Sequence, residues 1–292
     1  MSPRCRKRFF MAEAEADHKL QGHWLLASLG KRVLRPGGLG LTRRLLSAAA
    51  LGGNDRIVEF GPGVGKTAAL LLEAHPASYV GVDPNPEGRR QLEAVLAWHS
   101  NVQIVVADAA ETGLPDGSAD LVLGEAMLTM CGPEDKAAIV GEAARILAPG
   151  GRYAIHELAL TDTAPDPEPS TDRGETGRAI SREIKVGARP LKIQAWKKLL
   201  ENAGLTVEWS GTAPMHLLEP SRLVADEGIC GAARFAWRLM HRPEARKRVF
   251  AMRRSFRAHG DDLIAVAIVA RKVQVKAEAG DTAGDAAAAR RE

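Results

Sequence analysis

The feature that most constrains this chain is the run from residue 56 to residue 66, Arg-Ile-Val-Glu-Phe-Gly-Pro-Gly-Val-Gly-Lys. The β-branched pair Ile57 and Val58 leads into Glu59, glycines follow at alternate positions (Gly61, Gly63 and Gly65), and the apolar residues 68–72 open a helical stretch. This is a strand, a glycine turn and a helix. Glycine adopts the backbone angles such a turn needs and lets the chain pass close to a ligand. The first N–H groups of the following helix lie nearby, so the pattern marks a site for a nucleotide-like molecule.

Spacing separates this turn from two relatives. A Walker A loop needs a glycine five positions before Gly65, and that position is Phe60. A dinucleotide turn reads G-x-G-x-x-G, whereas here the third glycine comes one residue early and an acid stands two residues before the first. Glu-x-Gly-x-Gly-x-Gly at the end of a first strand resembles motif I of the class I S-adenosylmethionine-dependent methyltransferases. The resemblance implies a Rossmann-like fold, S-adenosyl-L-methionine as cofactor, and contact with it at Glu59, Gly61, Gly63 and Gly65. It covers residues 54–158 strongly and the flanks weakly.

Periodicity extends the fold in both directions. Apolar positions Trp24, Leu25, Leu29 and Val33 recur at helical spacing until Pro36-Gly37-Gly38 breaks the pattern, and residues 42–51 read as a second helix. In the family named, short helices ahead of the first strand commonly form a lid. After the glycine turn, short apolar runs at 79–82, 102–106, 120–123 and 153–155 alternate with helical stretches at 86–98 and 135–147, the mark of β-α-β units on a parallel sheet. A helix at 191–202, a strand at 205–209 and a last strand at 263–270 complete the pattern. The fold expected is α/β, a doubly wound, seven-stranded mixed sheet with helices on both faces, the last strand antiparallel and a helical insertion at 212–260 before it. Residues 1–18 read as a flexible arm, 19–273 as one methyltransferase domain, 161–176 as a mobile loop and 274–292 as a disordered tail.

Ligands of an open α/β sheet bind beyond the carboxyl ends of its strands. Glu59, Asp83, Asp108, Glu125 and the pair His156-Glu157 each close an expected strand. One such acid is equally a helix cap, but five in order and in register with the glycine motif form a constellation. Asp83 stands 18 residues after Gly65, near the ~20 at which an acid reaches a ribose in this architecture. The resemblance assigns Asp108 and the backbone amide of Ala109 to the adenine edge and matches Pro149-Gly150-Gly151 before the fifth strand. Glu125 joins the cofactor set by its strand-end position.

Methyl transfer from a sulfonium asks for an aligned acceptor, exclusion of water and, for a neutral nucleophile, removal of a proton. His156 is the candidate base, with Glu157 its rival or orienting partner; a structural histidine is the alternative. The Asn/Asp-Pro-Pro-Tyr/Phe sequence of amino-methylating relatives is absent, its place taken by Gly124-Glu125-Ala126-Met127, which disfavours exocyclic-amine DNA methylation. Met127 and Met130 offer soft apolar surface for a hydrophobic or thiol-like acceptor, unless they are plain packing.

Arg234, Arg238 and Arg242 recur every four residues within the insertion, and residues 231–257 hold nine basic side chains against Glu244 alone. Arg238 and Arg242 are the expected substrate contacts on this stripe. The whole chain carries net charge +4 over 292 residues, which by itself does not call for nucleic acid. Cys5, Cys131 and Cys230 are far apart and give neither a disulfide framework nor a metal cluster. No apolar run is long enough to span a membrane, and Glu13, Glu15 and Asp17 interrupt the apolar core a signal peptide needs, so a cytoplasmic chain is expected. The expected function is methyl transfer to a small-molecule or lipid-like acceptor. An RNA methyltransferase using the basic 231–257 segment, and a cofactor-binding regulator without turnover, stay open.

Overall fold

The computed structural model describes residues 20–31, 33, 35–165, 174–185, 187–215 and 217–273. The expected arm and tail, and residues 166–173 of the expected mobile loop, lie outside the described residues. Strands β1 (Arg56–Phe60), β2 (Ser78–Val82), β3 (Val102–Val105), β4 (Ala119–Glu125), β5 (Leu147–Leu160), β7 (Leu205–Pro214) and β8 (Leu263–Lys272) form a sheet in the order β3-β2-β1-β4-β5-β8-β7, and β6 (Leu191–Lys192) adds two residues to the end of β5. The last strand, β8, enters antiparallel between β5 and β7. This is the expected seven-strand mixed sheet with one short addition.

The strands read almost continuously apolar where helices cover both faces. On one face Val58, Val122, Ile155 and Ile268 pack with α5 (Pro133–Ile146) and α7 (Ile193–Asn202). On the other, Ile57, Leu121, Ala154 and Ala267 pack with α2 (Gly38–Ala48), α3 (Lys66–Leu72) and α4 (Arg89–Leu96). Alternate residues of each strand thus feed opposite cores. From β1 the sheet runs one way through β2 and β3 and the other way through β4 and β5. The reversal puts the switch point at the carboxyl ends of β1 and β4, where Gly61 and Glu125 stand.

A third core lies beyond that edge. It joins Leu25 and Leu26 of α1 (Gly22–Ser28), Ile180 of α6 (Gly174–Ile184), Phe235 of α8 (Pro220–His241) and Met252 and Phe256 of α9 (Pro243–Ala258) to Leu158 and Leu160 of β5. The buried pair Lys31 and Asp226 (3.4 Å) and the hydrogen bonds from Val33 N–H to Glu227 (2.8 Å) and from Leu39 N–H to Asp226 (3.1 Å) tie the segment between α1 and α2 to α8. At the base of α9, Arg253 and Arg257 both clasp Glu219, at 2.9 and 2.7 Å.

Candidate functional site

The glycine turn forms one wall of a cavity of about 620 Å³ at the switch point. Gly61, Gly63 and Gly65 all take positive φ, 64°, 54° and 77°, a region that costs a side chain roughly 1–2 kcal/mol per residue. Gly88 is required by space as well: a Cβ there would lie 2.8 Å from the Gly63 carbonyl oxygen and 2.9 Å from the Trp24 ring. The absence of that side chain lets α1 close down on the turn.

Each strand-end acid has its own environment. Tyr79 donates its hydroxyl proton to Glu59 at 2.6 Å, yet burial dominates and pushes the Glu59 carboxyl up to about 8. Asp83 accepts from the N–H of Asn85 at 2.9 Å and of Gly63 at 3.4 Å; burial raises its pKa against the pull of those two bonds. Asp108 accepts from Ala110 N–H at 2.8 Å, which sets the turn carrying Ala109.

Glu125 is the centre of a buried network. Arg35 lies 3.2 Å away, His156 Nδ1 2.9 Å away, and the hydroxyls of Thr42 (2.6 Å) and Thr67 donate to it. Burial would raise this carboxyl, but the Arg35 charge, the bond and charge of His156 and the Thr42 bond outweigh it and hold the group at about 2. Arg35 also donates to Thr42 at 2.6 Å, while its Nη2, like Trp24 Nε1, is buried with no hydrogen-bond partner among the described residues. Both residues line the cavity, so two unspent buried N–H donors belong to side chains at its wall.

Of the residues expected at the site, Glu59, Gly61, Gly63, Asp83, Asp108, Ala109, Glu125, Met127 and Met130 line this one cavity. Gly65 stands just behind it as the residue that starts α3. His156 does not line it: the ring is fully buried behind Glu125, with Nε2 2.6 Å from the Pro36 carbonyl, so both ring nitrogens are occupied by protein oxygens. Glu157 is also fully buried, accepting from the N–H groups of Met127, Leu128 and Thr129 at 3.0, 2.8 and 3.0 Å and from the Thr129 hydroxyl at 2.6 Å. Neither presents an atom to an acceptor in the cavity, contrary to the expectation for a base: β5 is an interior strand, paired with β8 from Arg152 to Leu160, and Pro36 and Thr42 cover His156 while Leu128 and Thr129 cover Glu157. Arg238 and Arg242 stand outside the cavity as well, Arg238 lying over Gly30, where a Cβ would come within 3.1 Å of its guanidinium.

Sequence reading missed His23, Trp24 and Arg35 from the segment before β1, and Ile180 and Ile184 from α6. Burial lowers the pKa of His23 to about 4, so the ring is neutral near pH 7. A lone Arg before Pro36-Gly37-Gly38 reads as the end of a helix, and nothing in its neighbours announces the carboxylate it meets, distant in sequence. Cys131, also at the cavity, keeps its thiol proton, burial pushing its pKa up to about 11.

Residues 58–155 match the family model described as a methyltransferase domain. The chain carries a class I S-adenosylmethionine-dependent methyltransferase domain. An uncharacterised protein of Haemophilus influenzae is 27% identical to this chain over 254 residues, covering 86% of this chain and 98% of that one. The 27-O-demethylrifamycin SV methyltransferase of Amycolatopsis mediterranei is 28% identical over 175 residues, 58% of this chain and 60% of that enzyme. Among solved structures, phosphoethanolamine N-methyltransferase 2 of Haemonchus contortus superposes with a TM-score of 0.67 at 14% identity, over 87% of this chain and 58% of that one. This chain therefore spans only about three-fifths of those two named enzymes, and the structural likeness is one of fold. The chemistry of the cavity fits the cofactor: S-adenosyl-L-methionine carries a carboxylate for unspent donors, and cationic groups and ribose hydroxyls for carboxylates.

Proposed function

We propose that this methyltransferase acts on an apolar, lipid-like small molecule, with residues 212–260 forming the cap of its acceptor chamber. The observation that carries the reading is the continuity of one cavity from the polar turn of β1 into a wall made by Leu26, Ile180, Ile184, Met215, Met252 and Phe256. Burying a large apolar side chain's worth of acceptor surface there favours binding by roughly 1.5–3 kcal/mol. The Amycolatopsis relative, whose name gives a small organic acceptor, supports the class without naming this one.

Bound S-adenosyl-L-methionine supplies a methyl group already activated by its sulfonium. Arg35 and Trp24 would hold its carboxylate through their unspent N–H groups, Asp83 would accept from the ribose hydroxyls, and Asp108 with the Ala109 amide would hold the adenine. Glu59 presents a carboxyl to the cationic end. Glu125 is saturated by Arg35, Thr42, Thr67 and His156, so it works as a positioning residue that sets the Arg35 guanidinium. His156 supports it from below. Glu157 gathers the N–H groups of residues 127–129 and so fixes Met127 and Met130 as the rim against which the acceptor is aligned. His23 lines the same cavity with a neutral ring and orients an acceptor hydroxyl through its lone pair. The apolar wall keeps water from the reacting centre.

Ile184→Trp tests the chamber, because the larger side chain occupies space in its apolar wall. Turnover on a lipid extract should fall by about a hundredfold while affinity for S-adenosylhomocysteine stays within about threefold. Full activity, or a parallel loss of cofactor binding, would contradict the assignment.

A further inference from the structure

We propose that the outward faces of α8 and α9 form a docking surface for an anionic lipid bilayer. Helix α8 changes character at Gly228, whose φ of 73° interrupts it. Before the break, Asp226 and Glu227 are buried and hydrogen-bonded to Lys31 and Val33 ahead of α2 and to Leu39 in its first turn. After it, Ile229, Ala233, Trp237 and Met240 recur every three or four residues along one face. Phe235, on the opposite side, packs in the cap core, so the stripe is turned outward. Ile229 is 78% exposed, Trp237 58% and Met240 62%. A tryptophan and two large aliphatic side chains aligned in water mark a surface that another phase receives.

Charge indicates which phase. Residues 219–258 hold ten basic side chains against four acidic, while the whole chain is only +4, so the remainder is net acidic. On α9, Val249, Met252 and Phe256 are buried, whereas Arg246, Lys247, Phe250 and Arg254 are exposed. Guanidinium and ammonium groups interleaved with exposed Trp, Phe and Met suit the headgroup region of an anionic bilayer, where rings and thioethers enter the acyl boundary and cations meet phosphates. A second copy paired symmetrically on this face would oppose its own basic groups. Single-stranded RNA would need a series of stacking rings, and the two helices expose only Trp237 and Phe250. No described helix is long and apolar enough to cross a membrane, so the contact is peripheral. Met252 and Phe256, on the inner side of the same helix, line the cavity. The surface stands independently of which acceptor the chamber takes.

Sedimentation of the full chain with vesicles tests the docking, using phosphatidylcholine alone and with about one third phosphatidylglycerol. Partition onto the anionic vesicles should be about tenfold stronger and should weaken as salt rises from about 0.1 to 0.5 M. Trp237→Ala with Met240→Ala, and separately Arg246→Glu with Arg254→Glu, should each lower partition about tenfold while affinity for S-adenosylhomocysteine is kept. If one pair disturbs the fold, seen as lost S-adenosylhomocysteine affinity, the other decides. Equal partition onto both vesicles, no partition, variants that bind like the parent, a dimer that Trp237→Ala dissolves, or RNA retained in preference to vesicles would each overturn the proposal.

Discussion

Asp83→Ala isolates the contribution of a single carboxylate to cofactor binding. Asp83 spends two of its acceptor positions on Asn85 and Gly63, at 2.9 and 3.4 Å, out of the roughly four an ionised carboxylate has. The remaining capacity faces the cavity. Hydrogen bonds to a charged group contribute about 1.5–3 kcal/mol each, and because water reaches this side chain the lower figure applies, giving about 3 kcal/mol for two ribose hydroxyls. That is about a hundredfold in Kd. The fold should survive, because the longer of the two backbone bonds is weak and the side chain packs in none of the three cores. Asp83→Asn keeps one acceptor oxygen but turns an NH2 group toward the second N–H, so its loss should be intermediate, about tenfold. Calorimetric titration of the three proteins with S-adenosylhomocysteine reads the order directly. Indistinguishable affinities, or an Asn variant weaker than the Ala variant, would refute the reasoning.

Glu59, held at about 8 chiefly by burial against an ordinary 4.5, stabilises the cofactor-free fold fully below pH 4.5 and loses that contribution as pH rises through about 8; Glu59→Gln should flatten the corresponding fall in Tm. Bringing a sulfonium beside it favours the carboxylate, so binding at pH 7 should release about one proton, read as a buffer-dependent calorimetric enthalpy; identical enthalpies in buffers of different ionisation heat would count against this. Glu125 has the opposite sign: held at about 2, it stabilises the fold above pH 4.5 and the contribution disappears as pH falls through about 2, so Glu125→Gln should shrink the acid-side loss of stability. His156→Ala removes a bond to a charged carboxylate and should cost about 1.5–3 kcal/mol of stability, lowering cofactor affinity and turnover together. Turnover lost at unchanged stability and affinity would instead make His156 the base.

Much of the sheet was legible because its signals are local. Short apolar runs, glycine punctuation and polar strand ends located β1 to β4 and fixed the site at the switch point. What was lost depends on partners distant in sequence. His156-Glu157 looked like the end of a strand over 153–155, yet β5 continues to Leu160 because the apolar residues 263–270 of β8 pair with it residue by residue. Both positions are thereby interior to the sheet, where Pro36 and Thr42 cover His156 and Leu128 and Thr129 cover Glu157, out of the acceptor's reach. The helix expected at 191–202 begins two residues later, since Leu191 and Lys192 pair with the far end of β5. Helix α6, which supplies Ile180 and Ile184, follows a segment whose Pro, Asp and Glu content reads as loop. Arg35 was invisible for a related reason: an arginine gains its role from a buried carboxylate contributed by another strand.

Transfer of a methyl group to an apolar acceptor is read from the destination of label from methyl-labelled S-adenosyl-L-methionine. The full chain is incubated with a lipid extract, a pool of polar small molecules and total RNA in parallel, and each mixture is partitioned between organic and aqueous phases. Enzyme-dependent label should enter the organic phase of the lipid extract and be lost in Asp83→Ala at limiting cofactor and in Ile184→Trp at any cofactor concentration. Label found only in RNA or in the polar pool, with Ile184→Trp as active as the parent, would contradict it.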